Sequence, residues 1–570
     1  MPRPNPAYRS RRKSDGAFPR PNPASRSLRN PAPEQTRSDG SFKRLSRLTQ
    51  TLPIVVVLCW MILYLPRPFQ LGFYHDDWSA FAAPAHATAA FSSARLRWFL
   101  GPDTTYSSRP LGGAIAFLVS SVCGTSALGF QSFSILLVLL CALSLRSWLN
   151  LILSVFPFYR TFAADLATSF WMSVPWMLGV TAWPIVAQSL VAQILFTEAA
   201  RLLLRQQQLT PKLAAQFTIT LLASGLTYEA FYFAIFPVIV FYAIYRRGLA
   251  RNARQIVWLL ALSSLAQTML IAYNRYSFTI GTGTKKQFNP RWVIQFLSNL
   301  YVLPKTLMIS LGAYSNVWAV LVAVFAIGSL LALLAAALGR KAPGGYLGHL
   351  LGIVTVAGVV LLFSDVTYSL AGYGFTSVGI GSRTLFPGSL SLAAVFFALC
   401  SCWIAGTARY WKAVGVLAAT AVIVVTALGQ RDRVAEWAHV WQREREILSV
   451  APVEQIGRLT KDSAVVYIGP TYYKGIVIFG AEWDLTGAIF AQDPEKKGHP
   501  YDGSPVVLPF VEGYKAGWDG ASLLWELPGR WERRIPVKHL YVWKLGKPVL
   551  EETSAGFSWP PEAAAKIRVE

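Results

Sequence analysis

The chain has 570 residues, 53% hydrophobic and 14% charged, with a mean hydropathy of +0.39. A soluble protein of this size is not that apolar, so composition places the chain in the multi-spanning membrane class. The formal net charge of +24 does not mark a nucleic-acid partner: the positive residues gather in an N-terminal arm and in short loops between apolar runs, which is a topology signal.

The arm, residues 1–48, is rich in Pro, Arg and Ser and repeats itself, Pro2-Arg3-Pro4-Asn5-Pro6-Ala7 returning as Pro19-Arg20-Pro21-Asn22-Pro23-Ala24. Such a segment cannot bury a core and reads as a disordered, basic, cytoplasmic arm able to touch anionic lipid headgroups. The apolar run at about 50–65 has no small-residue cleavage pattern after it and reads as a membrane span.

Apolar runs continue across 49–430, each needing about 20 residues to cross a roughly 30 Å hydrocarbon layer as a helix. About twelve are counted, and an inside N-terminus with an outside C-terminus requires an odd number, so the expectation is an α-helical polytopic protein of about 11–13 spans. The runs at 110–123 and 163–183 fit worst, the second carrying Asp165, Pro175 and Pro184.

Positive-inside reasoning puts Arg201, Arg205 and Lys212, then Arg246, Arg247, Arg251 and Arg254, then Arg340 with Lys341 and Arg409 with Lys412, in the cytoplasm. The loop 66–109, the Tyr228-Glu229 turn, 274–305, 365–386 and everything after about 430 are then extracytoplasmic. The N-terminus is then cytoplasmic and the C-terminus extracytoplasmic.

Residues 431–570 carry charges of both signs and no spanning run, so they read as a soluble extracytoplasmic α/β or α+β domain. It opens on a helix at about 431–448, whose Val434, Trp437, Val440 and Trp441 share one face, and continues with β-rich runs at 465–468, 506–508 and 540–543. The five cysteines lie in or beside apolar runs and give neither a disulfide framework nor a metal signature.

Between residues 51 and 429 the acidic residues are Asp76, Asp77, Asp103, Asp165, Glu198, Glu229 and Asp365. An adjacent pair is conspicuous there. Crowded carboxylates in a poorly solvated pocket repel, so one holds its proton while the other stays anionic, as a general base must. The alternative is a pair that merely solvates an exposed loop. His75 and Trp78 flank the pair, Arg109 opens the next apolar segment, and Arg383 stands at the mouth of a later span; arginine there suits a phosphate, or an interfacial ion pair. Glu229, beside Tyr228, interrupts an apolar hairpin and is a functional candidate by default, whereas Glu198 with Arg201 at i+3 reads as a structural pair. Asp103 and Asp165 have no assigned role.

On these residues the chain resembles the GT-C class of integral-membrane glycosyltransferases: a first span, a long outer loop bearing the Asp76-Asp77 pair, Arg109-Pro110-Leu111 opening the next segment, Tyr228-Glu229, Ser382-Arg383 and a soluble C-terminal domain. The resemblance implies a polyprenyl-phosphate sugar donor, a glycan, lipid or protein acceptor of the cell envelope, and an inverting transfer. Asp76 or Asp77 would then be the catalytic base, Arg383 and Arg109 would stabilise the leaving phosphate, and His75, Trp78, Tyr228 and Glu229 would complete the substrate site. It further implies that a divalent cation, where one is used, sits on Asp76 and Asp77. The competing classes are a polymerase of lipid-linked repeat units and a lipid or solute transporter; against the transporter, no internal repeat of paired broken spans is found.

Overall fold

The structure, a computed structural model, describes residues 53–101, 104, 106–152, 160–205, 210–240, 253–282, 289–338, 346–406, 409–493, 505–509, 515–519, 521–527, 531–546, 551–552 and 567–569. The arm 1–48, Asp103 and the loop residues Arg246, Arg247, Arg251, Arg340 and Lys341 lie outside the described residues.

The principal helices are α1 (Ile54–Tyr64), α2 (Ser93–Leu100), α3 (Pro110–Cys123), α4 (Ala127–Ile152), α5 (Arg160–Ser173), α6 (Gln188–Arg205), α7 (Pro211–Thr227), α8 (Ala253–Thr282), α9 (Trp292–Ser310), α10 (Ser315–Leu338), α11 (Tyr346–Leu370), α12 (Phe386–Gly406) and α13 (Arg409–Ser449). Among the described residues seven helical segments are long and apolar enough to cross a membrane, and two shorter apolar ones, Ile54–Phe69 and Pro110–Cys123, accompany them. The protein is therefore helical and membrane-embedded. The segment 163–183 is no single span. Helix α5 stops at Ser173, Pro175 opens a 3-10 turn, Leu178–Thr181 makes one helical turn, and Pro184 opens a second 3-10 turn. Proline removes a backbone donor and clashes with the preceding turn, so the helix cannot run through.

Most of α12 is buried, packed against α5, α10, α11 and α13, with Phe170 and Phe396 stacked at 4.4 Å. Polar bonds tie the other helices: the Ser224 hydroxyl donates to Ala192 O (2.8 Å), and Arg146 pairs with the buried Asp165 between α4 and α5. Glu198 and Arg201 pair within α6 at 2.5 Å, as their spacing predicts.

The boundary expected at 430 falls inside α13. At about 1.5 Å per residue its 41 residues reach about 60 Å, twice the hydrocarbon thickness, so one helix belongs to both the span and the C-terminal domain. That domain has β1 (Ala464–Ile468), a hairpin of β2 (Tyr472–Tyr473) and β3 (Ile476–Val477), helix α14 (Glu482–Phe490), then β4 (Val506–Pro509), β5 (Lys515–Trp518), β6 (Ser522–Leu527), β7 (Trp531–Pro536), β8 (Leu540–Lys544), β9 (Glu551–Glu552) and β10 (Ile567–Val569). One sheet has the order β4-β1-β8-β9, with β1 parallel to β4 and β8, and a second the order β10-β5-β6-β7. Parallel pairing needs a crossover, which α14 supplies between β1 and β4. One hydrophobic cluster runs from Val56 in α1 to Trp543 in β8, so part of this domain's core is continuous with the helical bundle, while a second cluster around Trp518, Trp525 and Ile535 lies within the domain itself.

Candidate active site

The site begins with the backbone of the loop after α1. His75 adopts φ 46, a left-handed conformation that a side-chain-bearing residue holds only when its surroundings impose it. Asp77 imposes it. Its Oδ2 accepts from the Tyr74 amide (2.9 Å) and its Oδ1 from the Ile185 amide (2.8 Å), one of the backbone donors that the Pro184 break leaves without a helical partner. Asp77 is 0% exposed. Burial pushes its pKa well above the usual carboxylate range despite those two amides.

The adjacent carboxylates therefore do not share one site. Asp76 faces the other way, its side chain 33% exposed, with Oδ1 accepting from His75 Nδ1 and from the Trp483 indole, both at 2.6 Å. Burial opposes its ionisation, but the charge of His75 and these two donors outweigh it and hold Asp76 well below its ordinary pKa. His75 is shifted in the opposite sense. Burial lowers it, yet Asp484 and Asp76 raise it to about 9, so it is an imidazolium at neutral pH in the chain alone. Asp484 lies in α14, fully buried, with Oδ1 3.6 Å from His75 Nδ1 and Oδ2 accepting from the Gly480 amide at 3.2 Å; burial raises its pKa.

Trp78 packs rather than lining the cavity. Its indole donates to Glu444 Oε2 (2.9 Å) and stacks on Trp441 at 5.8 Å, pinning the loop to the protruding end of α13. Arg109 spends its planar fork on Glu229, with Nε 2.6 Å from Oε2 and a second contact from Nη2, and lies 4.5 Å over the Tyr228 ring. Arg383 remains. It sits in the 3-10 turn Ile380–Leu385, its guanidinium carbon 5.1 Å from the Trp183 ring and 5.4 Å from that of Tyr373. Among the described residues it has no carboxylate in ion-pair contact, while Asp76, His75 and the Tyr228 hydroxyl lie near enough to act on it electrostatically. Trp183 joins the two halves, donating to Tyr74 O at 3.0 Å and meeting His75 edge-on at 5.8 Å.

Through Trp183 and Tyr228 the fold thus brings His75, Asp76, Glu229, Arg109 and Arg383 into one neighbourhood, with Asp77 and Trp78 spent on packing. Sequence reasoning passed over Trp183, Tyr373, Trp483 and Asp484. The prolines flanking 175–184 signalled a broken helix and hence Trp183, but in a domain of mixed charge nothing distinguishes Asp484. The two carboxylates of the Asp76-Asp77 pair turn apart, both Asp77 oxygens accepting from backbone amides, whereas among the described residues one ligand atom each from His75, Asp76 and Asp484 lies within 4.8 Å of the others.

Fold and site together define a membrane-embedded helical protein with a carboxylate, an imidazole and an arginine converging beside a C-terminal α/β layer. No family model matches the chain, and no curated protein or solved structure is detectably similar to it.

Proposed function

We propose that the protein is a glycosyltransferase of the GT-C type that moves a sugar from a polyprenyl-phosphate donor to an acceptor hydroxyl on the outer face of a bacterial inner membrane. The observation that carries this reading is the placement of Asp76, held ionised and partly open, beside Arg383, a cation with no carboxylate in contact among the described residues. A base and an anion holder in one neighbourhood are what displacement of a lipid phosphate by a hydroxyl requires.

Asp76 Oδ1 is occupied by His75 and Trp483, so Oδ2 receives the acceptor proton. A carboxylate held this acidic is a weak base, and the transfer therefore comes late. The acceptor oxygen bonds to the anomeric carbon, its proton becomes acidic and passes to Oδ2, and the bond from that carbon to the lipid phosphate breaks with inversion. Arg383 holds the phosphate before and during this step, its charge being permanent. Arg109 and Glu229 neutralise each other and set the position of Tyr228 on the cavity wall.

The test is incubation of the purified protein with a panel of polyprenyl-phosphate sugars and envelope acceptors, following release of free lipid phosphate. Release that is lost in Asp76→Asn supports the reading. Lipid translocation that survives this substitution, with no release from any donor, overturns it in favour of a transporter.

A further inference from the structure

His75, Asp76 and Asp484 belong to segments more than 400 residues apart, yet the packing of α14 on the loop at 78–82 brings them together. The approach is close: a Cβ on Gly487 would lie 2.8 Å from Ser79 Cα, so α14 rests directly on loop backbone. Within this contact Asp484 is 0% exposed, and its Oδ1 has no hydrogen-bond donor among the described residues while pointing at His75. A buried carboxylate oxygen without a donor is costly. Nearby, Glu444 Oε1 is also buried without a donor among the described residues.

We propose that His75, Asp76 and Asp484 form a binding site for one divalent first-row cation such as Mn2+ or Zn2+. The two contacts of His75 Nδ1, 2.6 Å to Asp76 Oδ1 and 3.6 Å to Asp484 Oδ1, bracket the roughly 3 Å separation of neighbouring ligands around an ion bound at about 2.0–2.2 Å. One imidazole and two carboxylates suit such cations and leave positions for water or a substrate oxygen. The cation replaces the Nδ1 proton, which leaves to solvent, and answers the unpartnered Asp484 oxygen. The third ligand comes from the C-terminal domain, not from the Asp76-Asp77 pair, and the site stands whether or not the protein transfers sugars.

The experiment uses the full chain in detergent micelles, stripped with chelator and titrated with Mn2+ while free aqueous Mn2+ is read by electron paramagnetic resonance, with Zn2+ as competitor. One Mn2+ per chain, displaced by Zn2+, is expected. Asp484→Asn and His75→Gln should each weaken binding by about 10-fold or more, as loss of a ligand exceeds loss of an outer partner, with the metal-free melting temperature of at least one variant unchanged. A wild-type chain that retains neither ion at millimolar concentration overturns the proposal, and so does Asp484→Asn binding Mn2+ as tightly as wild type.

Discussion

Replacing Asp76 by Asn leaves His75 Nδ1 and the Trp483 indole their acceptor but removes the proposed base, so single-turnover transfer should fall by about 10²-fold or more with donor binding retained. Asp77→Asn acts differently. An amide cannot accept from both the Tyr74 and Ile185 N–H groups, because one of its two heavy atoms is itself a donor, so a lost bond and a facing donor should cost about 1–3 kcal/mol of stability. The expected result is a lower melting temperature with turnover per folded molecule close to wild type, and an Asp77 variant that folds normally yet is inactive would contradict this division. Arg383→Ala should weaken binding of the lipid donor as well as turnover, since a phosphate contact exists before the transition state and strengthens in it. Arg383→Lys should recover part of the binding, the charge persisting without the planar fork; unchanged donor affinity in Arg383→Ala would remove the arginine from the phosphate site. The sequence singled out these residues because charges are rare in apolar chain. It did not separate Asp76 from Asp77, since which of two neighbours meets the Ile185 amide depends on a break more than 100 residues away.

At the scale of elements, the contact of α14 with the loop at 78–82 decides whether Trp483 and Asp484 reach Asp76. A methyl group on Gly487 would meet Ser79 Cα at 2.8 Å and Trp78 C at 3.0 Å, backbone atoms that cannot step aside as a side-chain tip can. Gly487→Ala should therefore separate the two elements at a cost of about 1–3 kcal/mol, as overpacking does, and reduce turnover without altering any charged group. Gly348→Ala in α11 is the matching control, because among the described residues nothing stands within 4 Å of its added carbon, and helical alanine is favoured over glycine. Equal melting temperatures and turnover for the two variants would show that the contact is dispensable. The sequence revealed α13 in part: its apolar, largely buried face of Val434, Trp437, Val440 and Trp441 was legible from 3.6-residue spacing, but its continuity with the last span was not, since polarity changes at 430 while the backbone does not.

For the whole molecule, the distribution of basic loops predicts a cytoplasmic N-terminus with Asp76, Arg383 and residues 430–570 on the opposite face. Single cysteines at exposed positions of the C-terminal domain, in a chain freed of its five native thiols, all of them unpaired, should react with an impermeant reagent on intact spheroplasts, and one in the arm should not. Protection of the C-terminal domain would put site and donor on opposite faces and end the proposed mechanism. Composition and the length of apolar runs by themselves determined the membrane class and the helical architecture, because a chain in lipid must satisfy its backbone within each segment. The same rarity of charge marked His75, Asp76, Arg109, Glu229 and Arg383. Tertiary structure alone decided how they are used: Arg109 turned to Glu229, Arg383 stayed clear of carboxylates among the described residues, Asp77 became a brace, and Asp484 arrived from the C-terminal domain. Partner choice of this kind depends on distances between segments hundreds of residues apart, and the order of residues along a chain does not carry those distances.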